Sequence, residues 1–115
     1  MKPQFEVIWV DSAKNELLEI IEYIAVENQN SAKKVYQNIK RKADSLSSMP
    51  YKGRIIPEFK QFEINLYREV IESPWRIMYR IQDKTVVIIT IIDGRRDVED
   101  ILFKKIIAVN GKDLF

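Results

Sequence analysis

Apolar residues recur at three- and four-residue steps through the first part of this chain, then alternate or run together through most of the rest, a change of period from helix to strand. Ala13, Leu17, Ile20, Ile21 and Ile24 predict an amphipathic helix ending near Glu27, with Asp11 or Ser12 accepting hydrogen bonds from its first free backbone N–H groups. The polar stretch Asn28, Gln29, Asn30 and Ser31 interrupts the spacing, which resumes at Ala32, Val35, Tyr36, Ile39, Ala43 and Leu46 and stops before Pro50. Two amphipathic helices on a short polar joint predict an antiparallel hairpin whose apolar stripes need a second layer. A sheet should supply it.

Strand signals flank the hairpin. Phe5, Val7 and Trp9 alternate with Glu6 and Ile8 ahead of it. Behind it, Pro50, Gly53 and Pro57 mark a loop with at most a short extended piece. Strands are then expected over Phe62 to Glu72, Trp75 to Ile81 and Thr85 to Ile92, joined by turns at Ser73–Pro74 and at Gln82 to Lys84, which together make an antiparallel meander. The last strand is apolar on both faces and suits a central position. Asp97 to about Val109 predicts a closing helix, ended near Gly111. The expected class is α+β: an N-terminal strand, an αα-hairpin, a meander and a C-terminal helix, in one domain spanning residues 1–115.

Composition narrows the chemistry. The chain has no cysteine and no histidine, so it lacks disulfides, thiolate nucleophiles, cysteine-ligated metals and the usual general base. The apolar run from Thr85 to Ile92 is far short of the roughly 20 residues of a membrane helix, and no signal-like stretch follows the charged N-terminus, so a cytoplasmic protein is expected. The net charge is only +2, but it is unevenly spread. Residues 1–30 are acidic; residues 31–60 carry Lys33, Lys34, Lys40, Arg41, Lys42, Lys52, Arg54 and Lys60 against Asp44 and Glu58. That segment reads either as an anion-facing surface or as a solvated helix flank.

The element order and several local pieces resemble the RelE/ParE toxins of bacterial toxin–antitoxin pairs, on the ParE-like side. The pieces are Glu16, Leu17, Glu19, Ile20, Tyr23 and Ile24; Leu46, Pro50, Gly53, Arg54, Pro57 and Glu58; Tyr67, Arg68 and Glu69; Trp75, Arg76, Ile77, Tyr79 and Arg80; and Gly94, Arg95, Arg96 and Asp97. The resemblance implies a toxin, of the kind linked to growth inhibition and plasmid stabilisation, that is neutralised by a cognate antitoxin in a hetero-oligomer and uses no cofactor, metal or membrane. RelE-like members cut messenger RNA on the ribosome without a metal, whereas ParE-like members poison DNA gyrase, and fold alone does not choose between them.

Metal-free RNA cleavage needs a base, cations for the phosphate and an acid for the leaving oxygen. The resemblance places Arg76 at the family's phosphate-holding position and Arg96 at the arginine ending the last strand, with Arg68, Arg80 and Arg95 as supporting target- or phosphate-binding groups. Alternation puts Trp75, Ile77, Tyr79 and Ile81 against the helices and Arg76, Met78 and Arg80 on an open face. The plainer alternative pairs these arginines with Glu63, Glu69 or Asp93.

The RelE-like basic position falls on Glu69, and the late tyrosine falls on Leu102. Glu69 would serve as base only if burial raised its pKa; a salt-bridged Glu69 is the other reading. Tyr67 and Tyr79 are candidate proton donors or packing residues, and Trp9 and Trp75 fit core positions better than base-stacking ones. Ile101, Leu102, Ile106 and Ile107 form either a docked helix or an antitoxin-binding face. The expectation is therefore a ParE-like gyrase poison; a ribosome-dependent endoribonuclease using Arg76, Arg96 and Glu69, and an inactive binding module, are the alternatives.

Overall fold

A computed structural model describes residues 4–105. Its strands are β1 (Glu6–Trp9), β2 (Arg54–Ile55), β3 (Tyr67–Glu72), β4 (Trp75–Gln82) and β5 (Thr85–Asp93), and its first helices are α1 (Asp11–Glu27) and α2 (Gln29–Asp44). A further helix, α3, occupies residues 98–105, up to the edge of the described region. The class is α+β, with a five-stranded mixed sheet in the order β1-β5-β4-β3-β2. The meander β3–β4–β5 is antiparallel, whereas β1 runs parallel to β5, with Val7 beside Val86 and Trp9 beside Ile88. A parallel neighbour requires a long crossover, and the helical hairpin is that crossover.

α1 starts differently from expectation. Its N-cap is Val10, whose side chain has no oxygen to offer, and Asp11 instead places a carboxylate in the first turn, near the positive end of the helix dipole. The joint to α2 shrinks from the expected polar stretch to Asn28 alone, because the Asn28 side chain accepts from Ser31 N–H at 2.9 Å and lets α2 begin at Gln29.

The sheet is covered on both sides. Ala13, Leu17, Ile39, Ala43 and Leu46 pack on Val70, Ile77, Tyr79, Val86, Ile88 and Ile91, with Trp9 and Trp75 partly buried beside them. Both tryptophans are thus packing residues. The opposite face, expected to be open, carries a second core: Met78, Tyr67, Ile89 and Ile92 are covered by Ile56 and Phe59 from one side and by Val98 and Leu102 from α3.

That cover explains why the strand expected from Phe62 begins only at Tyr67. Pro57–Phe62 wind into a 3-10 helix, and Glu63 turns the chain at φ 58°. This wrap brings Phe59 against Tyr67 and Phe103 at ring-centroid distances of 5.9 and 6.0 Å.

Candidate functional site

Arg76 lies on β4 opposite Ile71 and Ile92, and only 9% of it is exposed. Its Nε donates to Glu69 at 2.7 Å and its Nη2 to the same carboxylate at 3.1 Å, while Nη1 and Nη2 donate to Glu58 at 2.8 and 2.6 Å. Arg54 Nε reaches the fully buried Glu69 side chain from β2 at 2.7 Å. Two guanidiniums therefore face two carboxylates, and four of the five donors on Arg76 are already committed. The Glu58 forks raise the Arg76 pKa above its ordinary value, while Arg76 lowers that of Glu58. A phosphate at Arg76 would have to displace a carboxylate held in paired hydrogen bonds.

Backbone placement makes this network. Pairing of Glu69 with Met78 and of Ile71 with Arg76 puts Glu69 and Arg76 on one face of neighbouring strands, and the 3-10 helix lays Glu58 over them. Gly94 completes the seat: its N–H donates to Pro74 O at 2.8 Å, and a Cβ there would stand 3.1 Å from the Arg76 Cδ. The arginine was legible as special. Its principal partner, Glu58, was not, because a loop residue carries no register.

Arg68 and Arg80 do not join Arg76. Arg68 donates to Gly53 O at 2.7 Å and lies over the Tyr51 ring, while Arg80 reaches Gln82 at 3.3 Å. Tyr79 is wholly buried, donating to Pro50 O at 2.7 Å and accepting from Gly53 N–H at 3.1 Å, and burial pushes its pKa up. It fixes the loop and is screened from solvent, which removes it as a proton donor. Tyr67 is also fully buried, in the second core.

Arg95 and Arg96 occupy the turn after β5. Arg95 pairs with Asp93 at 2.6 Å, which holds the Asp93 carboxyl down at about 2. Both arginines rim a groove of about 680 Å³ between α1, the ends of β4 and β5, and α3, floored by Ile20, Ile24, Trp75, Ile91 and Ile101. Ile101 thus reaches the groove, whereas Leu102 is fully buried against the sheet; Ile106 and Ile107 lie outside the described residues. Exposing Leu102 to a partner would cost about 1.5–3 kcal/mol.

Glu16, named above only as part of the family resemblance, anchors the groove wall. Its carboxylate accepts from Thr90 Oγ1 at 2.8 Å and from Ile91 N–H at 3.2 Å, and it pairs with Lys105 of α3. The register of β4 on β5 shifts between Met78 and Tyr79, leaving Ile89 without an opposite residue. A bulge disrupts the local ladder, and Glu16 satisfies an N–H beside it.

This scaffold, a helical crossover packed on a five-stranded mixed sheet, is that of a RelE/ParE-type toxin. The family model for the ParE toxin of the type II toxin–antitoxin system parDE matches residues 7–98, and the chain belongs to that family. The fold is similar to a chain in a solved structure described as the chromosomal ParDE toxin–antitoxin system from P. aeruginosa, with a TM-score of 0.64 and 22% identity over 78% of this chain and 96% of that one. Comparison with curated proteins gives no significant match.

Proposed function

We propose that this protein acts as a toxin by binding DNA gyrase and is neutralised by a cognate antitoxin. The observation that carries the reading is the state of Arg76: nearly buried, with four hydrogen bonds to Glu58 and Glu69. A metal-free nuclease needs a cation that meets the phosphate as charge develops. Here that cation is neutralised within the fold, Glu69 is occupied by two guanidiniums, and the late tyrosine position holds the buried Leu102. What remains accessible is a protein-binding surface.

The groove between α1 and α3 is the docking site we assign to the antitoxin. Its apolar floor, Ile101 included, suits an amphipathic segment, and Arg95 and Arg96 on its rim suit acidic side chains. Arg96 and Arg95 are also the arginines best placed for gyrase, so antitoxin and target would compete there. Purified gyrase, relaxed DNA and the purified chain test the reading: loss of supercoiling, or a trapped cleavage complex, is expected. Unaffected supercoiling together with new messenger-RNA ends on translating ribosomes would replace it with nuclease action, and growth without arrest would leave an inactive binding module.

A further inference from the structure

The basic segment between residues 31 and 60 folds into one continuous surface. The buried residues of α2 are Ala32, Ile39 and Ala43, so the helix turns its opposite side to solvent. Asn30, Lys34, Gln37, Asn38 and Arg41 recur there at three- and four-residue steps, all exposed, with Lys33 on their flank. Each of these side chains carries an N–H donor and none is a carboxylate. Lys34 and Arg41 stand about 10 Å apart along the axis, far enough to meet separate phosphates of a nucleic acid. Beyond Arg41 the surface continues to Lys42, which converges with Lys52 and Arg54 on a notch of about 290 Å³ at the sheet edge.

Most of these cations are uncommitted. Arg54 is held by Glu69 at 2.7 Å, and Lys40 lies 3.8 Å from Asp44. Among the described residues, none of Lys33, Lys34, Arg41, Lys42 and Lys52 pairs with a carboxylate. The Arg41 guanidinium donates to Asn38 at 3.2 Å, which keeps it on the exposed row. The acidic counterweight stands on α1, where Glu19, Glu22 and Glu27 are exposed. Positive potential is therefore concentrated on α2 and the notch beside it.

We propose that the exposed face of α2, continued by Lys42 and Lys52, binds the phosphate backbone of duplex DNA. Lysine and arginine on a rigid helix meet phosphates without reading sequence, and Gln37 and Asn38 add neutral donors between them. A single strand would call for exposed rings on which its bases stack. The exposed rings nearby are Tyr36, about 160° of helical phase from Lys34, and Tyr51, which already has the Arg68 guanidinium over it at 5.4 Å. An acidic peptide would meet the same cations, yet the row from Asn30 to Arg41 gives it no apolar anchor. The proposal asks for DNA alone, so it stands or falls separately from the gyrase reading.

The test uses the whole purified chain and a fluorescent duplex of mixed sequence, followed by anisotropy without gyrase. Phosphate contacts from Lys34, Arg41, Lys42 and Lys52 predict a slope of log K against log[salt] of about −3.6, a loss on the order of a hundredfold between about 50 and 200 mM salt. Lys34→Glu with Arg41→Glu, and separately Lys42→Glu with Lys52→Glu, should each weaken binding by at least about tenfold and flatten the slope by about 1.8. Lys60→Glu with Lys104→Glu makes the same change in charge on the elements that cover the opposite face of the sheet, and should leave affinity within about threefold. The proposal is overturned if the duplex does not bind at about 50 mM salt, if the control pair weakens binding as much as the other two, or if a single strand of the same length binds as tightly. Binding of a blocked polyglutamate peptide, lost in the same variants while the duplex fails to bind, would overturn it too and assign the face to an acidic protein.

Discussion

Replacing Arg76 by alanine separates a structural cluster from a phosphate-binding site. In the folded chain the Glu69 side chain has no exposure and the Glu58 side chain 24%, so removing the guanidinium strands one carboxylate in the interior and releases the other toward water. Breaking a buried pair from one side costs about 3–5 kcal/mol. The lower end applies here, because Arg54 still reaches Glu69 at 2.7 Å. With a urea m-value of about 1.5 kcal/mol/M, the denaturation midpoint should fall by about 2 M. The double variant Arg76→Met with Glu69→Gln removes the stranded charge and should recover at least about half of that loss, a non-additivity expected of residues in one network. Urea melts of the parent, both single variants and the double variant measure it. An Arg76→Ala protein whose midpoint lies within about 0.5 M of the parent would refute the reasoning, for it would mean that the cluster contributes little and Arg76 is held ready for something else.

The remaining predictions concern neighbouring parts of the same frame. The Asp93 carboxyl, held by Arg95, should titrate near 2 by NMR, and Arg95→Ala should return it toward 3.8. A depressed carboxylate contributes stability that is fully present above its unfolded pKa and is lost as pH falls through its folded one. The Asp93 share of acid unfolding therefore lies between about 3.8 and about 2, and Glu58, also lowered, adds loss in the same direction below its ordinary 4.5. Glu16→Ala leaves Ile91 N–H without its carboxylate acceptor; a loss of about 1–3 kcal/mol in denaturant melts and faster exchange at Ile91 are expected. Gly53→Ala would bring a Cβ to 2.5 Å from the Tyr79 hydroxyl and 2.6 Å from Glu69 O, and should cost about 1–3 kcal/mol, measured as a lowered Tm.

Much of this fold could be read from periodicity, because α1 and α2 each bury one regular stripe and the strands of the meander are apolar runs between turn residues. The both-sided apolar character of β5 correctly marked it as internal, and it also held the clue to the second core: Ile89 and Ile92 need a cover as much as Ile88 and Ile91 do. An open arginine face was incompatible with that pattern. Phe62 reads as a strand residue by composition, yet Pro57 and the left-handed turn at Glu63 recruit it to a 3-10 wrap. The site was legible by type and not by partner. Arg76, Glu69 and Asp93 stand on strands whose register alternation predicts, whereas Glu58 and Lys105 meet their partners through a loop and an interhelical contact that no local spacing encodes. The parallel placement of β1 was hidden for the same reason.

Whether this ParE-family chain acts by binding a protein or by cutting RNA is decided by gyrase supercoiling with the purified chain, run beside the Arg96→Ala variant and an Arg76→Lys variant. Inhibition by the parent is expected, with inhibition retained at matched folded concentration by Arg76→Lys and weakened by Arg96→Ala. Full supercoiling at every toxin concentration, with ribosome-dependent messenger-RNA cleavage that Arg76→Lys abolishes, would contradict it.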